Sequence, residues 1–365
     1  MNARSIEWNQ PATRTPGAIG WAERGLLPDA IVRAGIRRLC AERLRAEQRG
    51  GVEASARRFE ERLRALRESA LAIFTEDANR QHYELPPAFF QECLGPRLKY
   101  SSCYSPTGNE SLAEAEAAML ALTAERADLA DGQDILELGC GWGSLTLWMA
   151  ERFPNARITA VSNSRSQRRH IEAACESRGL RHVRVITRDV NDLVFERAAF
   201  DRVVSVEMFE HVRNYEQLLA RIASWMRTRA RLFIHIFCHR TLMYPFDTDG
   251  DGDWMARHFF TGGLMPSADT LLCFQRDIAL ESRWLVDGRH YARTANHWLL
   301  RQDANRDAVL DVLTDVYGES APLWFQRWRI FWMACAELFG YRGGQEWMVA
   351  HYRFEKESLH ARPIA

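Results

Sequence analysis

The chain has almost no lysine, no excess charge of either sign and no long apolar run. Its 365 residues include 48 basic and 48 acidic side chains, and only Lys99 and Lys356 are lysines. A net charge of zero gives no electrostatic reason to expect nucleic acid or an anionic membrane as a partner. No apolar stretch approaches the roughly 18 residues of a membrane-spanning helix, and the polar N-terminus lacks the apolar segment of a secretory signal. These absences predict a cytoplasmic protein with no nucleic-acid partner and no integral membrane association.

Paired cysteines and complete metal-binding motifs are also missing. The eight cysteines are scattered without a C-x-x-C pair, which favours reduced thiols that act as small core residues. The acidic segment Asp247–Asp253 matches the first half of a calcium loop, but His258 stands where the loop needs a bidentate acid. We therefore predict no bound metal.

The order of the predicted elements indicates an α/β protein with additions at both ends. Residues 1–25 are polar and interrupted by prolines, which predicts a loose start, and the two helices that follow break at 49–51. From residue 131 strands and helices alternate, as in a parallel sheet with crossover helices. The predicted strands are 134–138, 157–161, 183–187, 201–206 and 231–236, with later strands near 277–284 and 347–354 that flank a helical block at about 305–339.

The segment 134–144 carries the most specific signal. Its apolar strand runs directly into a glycine turn, and Glu137 stands two residues before the first glycine. Gly139, Gly141 and Gly143 would let the backbone pass close to a nucleoside, where a side chain would collide with the ligand. The E-x-G-x-G pattern, with no later paired glycine, favours S-adenosylmethionine (SAM) over a dinucleotide. The predicted fold is a Rossmann-like class I SAM-dependent methyltransferase that uses SAM as methyl donor.

This fold predicts how the chain is divided. We expect an N-terminal helical extension at 1–80, a cofactor-capping segment and helix at 81–130, and the SAM-binding core at 131–240. An inserted lid at 241–275 and C-terminal strands and aromatic helices at 276–365 would complete the sheet and the substrate pocket.

Further cofactor candidates end the predicted strands, because ligands of such sheets bind outside the carboxyl ends of the strands. Asn163 and Gln167 could bond the ribose hydroxyls. Asp189 could accept a hydrogen bond from the adenine amino group while Val190 packs on the ring, or Asp189 could simply cap a helix. The remaining candidates of this kind are Ser162 and Val206.

Glu207, Glu210 and His211 form a second cluster, directly after the fourth strand. On a helix, offsets of three and four residues would put both carboxylates and the imidazole on one side, next to the cofactor. Carboxylates suit the sulfonium cation of SAM and an ammonium substrate. Only a neutral amine can attack the methyl carbon, and Glu210 or His211 could take its proton. The two acids could instead merely favour the start of a helix.

With these motifs the chain resembles the cyclopropane-fatty-acid-synthase-like superfamily of SAM-dependent methyltransferases. Within it, the chain is most similar to the coclaurine N-methyltransferase group, and its near-exclusive use of arginine fits a bacterial relative better than a plant enzyme. The superfamily resemblance rests on 82–83, 100–101, 136–143 and 208–211, and the closer one on 205–215, 259–267, 284–291, 336–341 and 346–351.

The resemblance implies a function and adds site residues. It implies transfer of a methyl group from SAM to the nitrogen of a small aromatic, tetrahydroisoquinoline-like amine. The sequence leaves the oligomeric state open between a monomer and a homodimer. Tyr100 and Ser101 would contact the methionine end of the cofactor, and the cluster of Glu207, Glu210 and His211 would serve the amine. The aromatic substrate pocket would be lined by Tyr83, Phe260, Trp328 and Phe331.

The alternative is a lipid-modifying cyclopropane-fatty-acid synthase or fatty-acid methyltransferase. That branch resembles this chain but holds a bicarbonate base with a cysteine, a glutamate, a histidine and a late tyrosine. Glu210 and His235 stand at matching positions, whereas Ser102 replaces the cysteine and Ile330 and Phe331 stand where tyrosines would fall. Glu207 adds a carboxylate where that branch has glycine, which favours the N-methyltransferase.

Two further features bear on the substrate. Arg327 stands where the plant enzymes have a tyrosine near the substrate, so a cation that faces the pocket would disfavour a cationic alkaloid. The aromatic run at 324–332 has helical spacing, which is typical of a core, although one face of it could open onto a flat substrate.

Overall fold

A seven-stranded sheet organises the chain in the computed structural model, which describes residues 17–72, 85–246 and 254–356. The strands of this sheet are β1 (Asp134–Leu138), β2 (Arg157–Ser162), β3 (Val183–Thr187), β4 (Phe200–Val206), β5 (Met226–His239), β8 (Ala279–Val286) and β9 (Trp347–Glu355). Two short strands, β6 (Tyr244–Pro245) and β7 (Leu264–Met265), pair separately within the predicted lid.

Helices precede the sheet and cover it. They are α1 (Gly17–Glu23), α2 (Asp29–Glu47), α3 (Gly51–Glu68), α4 (Pro87–Cys93), α5 (Leu112–Arg126), α6 (Ser144–Arg152), α7 (Arg165–Arg178), α8 (Tyr215–Trp225), α9 (Trp254–His258), α10 (Gly288–Ala304), α11 (Arg306–Tyr317) and α12 (Ala321–Gly340). The start of α5 shows how sequence fixes an end, because Ser111 and Glu114 form a capping box there. In the described ranges, no helix is both long enough and apolar enough to cross a membrane.

The sheet order β3-β2-β1-β4-β5-β9-β8 positions the site. The first five strands in this order are parallel, and β9 runs antiparallel to both of its neighbours. The chain leaves β1 for β2 on one side and later returns to place β4 on the other. The strand order therefore reverses beside β1, which opens a crevice at the carboxyl ends of β1 and β4.

Most predictions of secondary structure are confirmed. All seven predicted strands of the sheet are present, although β5 begins at Met226, five residues early. The break between α2 and α3 falls at Gly50 and Gly51, which both have positive φ. The predicted helical block at 305–339 is confirmed as α11 and α12, and a further helix, α10, precedes it from Gly288.

One prediction at the N-terminus is wrong. Residues 17–23 were expected to be loose, but they form α1. Glu23 at its end is buried and accepts hydrogen bonds from Trp254 and Arg327, so tertiary contacts fix the helix. The calcium-like segment at 247–253 lies outside the described residues. Within those residues, no cluster of three or more histidine, cysteine, aspartate or glutamate side chains is arranged to hold a metal ion.

Candidate active site

A cleft opens where the strand order reverses, and its empty volume is about 1340 Å³ with the open mouth included. The cleft lies against the ends of β1, β2 and β4 and extends to Thr261 and Gly262 of the lid segment. All the residues predicted to bind the cofactor line it: Tyr100, Ser101, Glu137, Gly139, Gly141, Ser162, Asn163, Gln167, Asp189, Val190 and Val206.

The glycines of the turn serve different purposes. A Cβ on Gly139 would lie 2.7 Å from Cβ of Met208, and a Cβ on Gly143 would lie 2.6 Å from Cγ1 of Ile171. These two positions therefore need glycine for contacts within the protein. A Cβ on Gly141 would meet nothing within 4 Å, although its φ of +52° disfavours a side chain. Of the three glycines of this turn, only Gly141 has open space beside it where a ligand can approach the backbone.

Two side chains of the cleft fit a nucleoside. The Ser162 hydroxyl donates to Oε1 of Gln167 at 2.6 Å, which leaves the buried Nε2 of Gln167 with no partner among the described groups. A ribose hydroxyl could accept from that amide. Asp189 accepts the backbone N–H of Asn191 at 2.7 Å through Oδ1, so it caps a short helical turn and also lines the cleft. The capping role of Asp189 is confirmed, and its contact with adenine stays a prediction.

Glu137 is the acid of the glycine motif. Its carboxyl group is buried at the cleft and accepts a hydrogen bond from the Thr146 hydroxyl. Burial raises the pKa of Glu137 to about 8, and the Thr146 bond opposes the rise.

Glu207 extends β4 by one residue and presents its carboxylate to the cleft. Its backbone N–H donates to the carbonyl of His235 at 2.8 Å, and its φ of +47° lies in the left-handed region that non-glycine residues rarely adopt. Oε1 accepts from the Ser102 N–H at 2.9 Å and lies 3.1 Å from Nε2 of His235, and Oε2 accepts from the Tyr291 hydroxyl at 2.7 Å. Burial raises the pKa of Glu207, while the nearby Lys99 charge and the hydrogen bonds from Ser102 and Tyr291 oppose that rise.

Lys99 and Tyr291 belong to this site although the sequence analysis did not select them. Nζ of Lys99 is fully buried and donates to the Ser102 carbonyl at 2.7 Å and to the Ser101 hydroxyl, and burial lowers its pKa. A signal existed for both residues. Lys99 is one of two lysines and precedes Tyr100 and Ser101, while Tyr291 ends a stretch that carried the closer resemblance.

His211 reaches the cleft, as predicted. It ends a 3-10 turn at Phe209–His211 and lines the cleft together with Glu207. Its ring packs on Phe260, with 4.8 Å between the ring centroids. Burial lowers the pKa of His211 to about 4 while the charge of Glu207 raises it, so the imidazole is neutral at pH 7.

Glu210 does not join the other two side chains in the cleft. It is fully buried, Oε1 accepts the Phe237 N–H of β5 at 2.8 Å, and Oε2 has no partner among the described groups. Glu207 has a left-handed backbone conformation, and Phe209–His211 form a 3-10 turn. The α-helical spacing that would place the three side chains on one side is therefore absent. Burial and the charge of Glu207 raise the pKa of Glu210 well above its usual range, which favours the protonated form.

Among the described residues predicted to form the aromatic pocket, none lines the cleft. Phe260 packs against His211 and Phe246, beside the cleft. Trp328 and Phe331 are not among the residues that line the cleft, because they lie in an aromatic core, where Phe331 stacks on Phe259 with 4.4 Å between centroids. The fourth residue, Tyr83, lies outside the described residues.

Arg327 does not face the cleft. It is buried, its Nε donates to Glu23 at 3.0 Å, and its guanidinium carbon lies 5.0 Å from the centroid of the Trp324 ring. The charge is therefore neutralised inside the protein, and the objection to a cationic substrate no longer applies.

Comparison with known proteins shows which family the chain belongs to. The model of the family described as mycolic acid cyclopropane synthetase matches residues 73–346. The chain belongs to this family. A cyclopropane-fatty-acyl-phospholipid synthase of Escherichia coli (strain K12) is 28% identical over 283 residues, which cover 77% of this chain and 69% of the synthase.

Other relatives within the family are N-methyltransferases. The (S)-coclaurine N-methyltransferase of Thalictrum flavum subsp. glaucum is 36% identical over 340 residues, which cover 92% of this chain and 94% of that enzyme. The crystal structure of a coclaurine N-methyltransferase bound to N-methylheliamine and SAH matches with a TM-score of 0.89 and 37% identity, over 92% of this chain and 98% of that one. The predictions of a Rossmann-like fold and of SAM as methyl donor are confirmed. This chain is a SAM-dependent N-methyltransferase.

Proposed function

We propose that the chain methylates the nitrogen of a small aromatic, tetrahydroisoquinoline-like amine, and that Glu207 and His211 carry the reaction. The observation behind this proposal is the carboxylate of Glu207, whose side chain is only 9% exposed at the cleft and which has three hydrogen-bonding neighbours, Ser102, His235 and Tyr291. Such an anion attracts an ammonium group and stabilises positive charge beside it. The bound N-methylheliamine of the coclaurine N-methyltransferase structure supports an amine of this class.

The cofactor supplies a methyl group on a positively charged sulfur. An amine nitrogen can attack the methyl carbon in line with the carbon–sulfur bond, and the neutral sulfur is the leaving group. The chain's own contribution is to bind and orient the amine and to exclude water. Apolar side chains that line the cleft provide surface for an aromatic ring, and Phe260 packs behind His211. Glu207 fixes the end of the substrate that carries the nitrogen.

The nitrogen must also lose its proton before it reacts. His211 is neutral at pH 7 and shares the cleft with Glu207, so its imidazole can accept that proton. Burial of the substrate lowers the pKa of an ammonium ion, as it does for a buried lysine, and so makes the transfer easier. The imidazolium that forms is stabilised by the charge of Glu207.

Glu210 has an indirect role in this proposal. Its carboxyl group ties the turn that carries His211 to the Phe237 N–H of β5. We therefore treat Glu210 as a positioning residue rather than a proton acceptor. Its neutral form keeps the hydrogen-bond acceptor, so Glu210→Gln should retain much more activity than Glu210→Ala.

The lipid-modifying alternative is disfavoured by the hydrogen bonds of His235. This histidine stands at a position matching a bicarbonate ligand of the lipid branch, but here its Nε2 is bonded to Glu207. The Ser102 N–H and the Tyr291 hydroxyl are bonded to the same carboxylate. These donors already have an internal anion as partner, so we expect no need for added bicarbonate.

A turnover screen tests the proposal. SAM consumption is measured against primary, secondary and tertiary aromatic amines, and separately against anionic vesicles of unsaturated phospholipid, each with and without bicarbonate. We expect turnover of a secondary aromatic amine at a rate independent of bicarbonate. Turnover of the vesicles alone, or a strict need for bicarbonate, would overturn the proposal. The homodimer and the cytoplasmic location stay predictions, which size-exclusion chromatography and cell fractionation would test.

A further inference from the structure

Glu207 stands at one end of a row of side chains that crosses the sheet. His235 of β5 pairs with Val206 of β4 on one side and with His351 of β9 on the other. His351 pairs in turn with Trp284 of β8. Directly opposed residues of neighbouring strands have side chains on the same face. The row therefore runs from the cleft across four strands.

Hydrogen bonds connect this row from end to end. Nε2 of His235 lies 3.1 Å from Oε1 of Glu207, and Nε2 of His351 lies 2.9 Å from Nδ1 of His235. At the far end, Nη1 of Arg126 lies 2.8 Å from Nδ1 of His351. Arg126 comes from the last turn of α5, and its guanidinium carbon lies 5.0 Å from the centroid of the Trp284 ring. Both imidazoles are fully buried.

The arginine sets the direction of every hydrogen bond in the row. A guanidinium can only donate, so Nδ1 of His351 accepts and the single proton of the neutral ring sits on Nε2. That proton is donated to Nδ1 of His235, which places the proton of His235 on its own Nε2, facing Glu207. Both rings are neutral because burial lowers the pKa of each well below its usual range, helped by the charges of Arg126 and Lys99.

The row cannot carry a proton to the surface, because an arginine does not give one up. We infer that Arg126 and His351 are positioning residues for methyl transfer, which hold His235 in the tautomer that donates to Glu207. The inference rests on the proposed role of Glu207. With the other tautomer, an imidazole lone pair would face the carboxylate, and Glu207 would lose one of its donors and its fixed orientation.

The tautomers can be measured without any methyl transfer. Protein labelled with [¹⁵N]histidine reports by NMR which ring nitrogen carries the proton. We expect Nε2–H for His235 and His351 in the wild type and a shift of His351 towards Nδ1–H in Arg126→Leu. Arg353→Leu is the matched control, since Arg353 lies over the same Trp284 ring at 5.7 Å and donates to Glu281 and to the Arg126 carbonyl, but not to His351. Unchanged tautomers in Arg126→Leu, or Nδ1–H in the wild type, would overturn the inference.

Two substitutions of His351 test the consequence for catalysis. Gln can place an amide N–H near the position of Nε2 and keep a donor to His235, whereas Asn reaches only the side that faces Arg126. We expect His351→Asn to lower kcat about 10–100-fold, the range seen for outer-shell partners of metal-binding histidines. His351→Gln should stay near wild type, and neither should change the KM for SAM. Equal kcat in the two variants would contradict the inference. If no amine were a substrate, the NMR result would still decide the inference separately.

Discussion

Replacing Tyr291 with phenylalanine removes one hydrogen bond from Glu207 and leaves the ring in place. The hydroxyl donates to Oε2 of Glu207 at 2.7 Å. The ring stacks on Phe339 with 4.2 Å between centroids and an interplanar angle of 14°, and a phenylalanine ring at this position would keep that contact. The variant therefore changes the carboxylate's surroundings with little change in packing.

The size of the effect follows from the bond that is lost. A hydrogen bond to a charged group contributes about 1.5–3 kcal/mol, and about 1.4 kcal/mol corresponds to one pKa unit, so the pKa of Glu207 should rise by about 1–2 units. Burial already raises this pKa, and the Tyr291 bond is one of the contacts that oppose the rise. If the reaction needs the ionised carboxylate, kcat is highest at pH values above the pKa of Glu207. It falls as the pH drops through that pKa and the group becomes protonated. In Tyr291→Phe this loss should therefore occur at higher pH.

The assay is the pH dependence of kcat at saturating SAM and amine, since kcat reports the pKa values of the substrate-bound enzyme. The same amine is used throughout, so its own titration is common to all profiles. Tyr244→Phe is the matched control, because that buried hydroxyl accepts from the Trp347 indole and does not line the cleft. The acidic limb should move up by about 1–2 pH units in Tyr291→Phe only. Superimposable limbs for Tyr291→Phe and wild type would refute the reasoning.

Three more substitutions separate chemistry, cofactor binding and fold. His211→Ala should lower kcat about 10²–10⁴-fold and leave the affinity for SAM nearly unchanged. An unchanged kcat would show that His211 is not the proton acceptor. Gln167→Leu should weaken SAM binding about 2–10-fold in calorimetry, as expected for the loss of one uncharged hydrogen bond. Unchanged affinity would show that Nε2 of Gln167 does not bind the ligand. Arg327→Leu removes the buried ion pair that Arg327 makes with Glu23, so the free energy of unfolding from urea titrations should fall by about 3–5 kcal/mol while the KM for the amine stays constant. A large change in that KM would show that Arg327 contacts the substrate.

The parallel strands and the cofactor turn could be predicted because their signals are local. β1 is an apolar run followed by a glycine turn, β2 and β3 end in Ser162 and Thr187, and Glu207 directly follows β4. Residues at the carboxyl ends of parallel strands meet at one edge of the sheet. Knowing the strand ends was therefore enough to place Glu137, Gln167 and Asp189 in the same cleft.

The environment of Glu207 could not be predicted in the same way. Its hydrogen bonds come from Ser102, His235 and Tyr291, which are separated by many residues in sequence and meet only through sheet order and helix packing. Glu210 shows the opposite error. A helical spacing was assumed for it, but the left-handed conformation of Glu207 turns the following residues so that Glu210 points into the core.

The kinetics of Glu207→Gln test the central claim most directly. Gln has nearly the same shape as Glu, but it carries no charge to attract an ammonium ion. We predict that kcat/KM for the amine falls at least about 10²-fold, while the dissociation constant for SAM measured by calorimetry stays close to that of the wild type. Amine turnover at the wild-type level in a folded, SAM-binding Glu207→Gln protein would contradict the account.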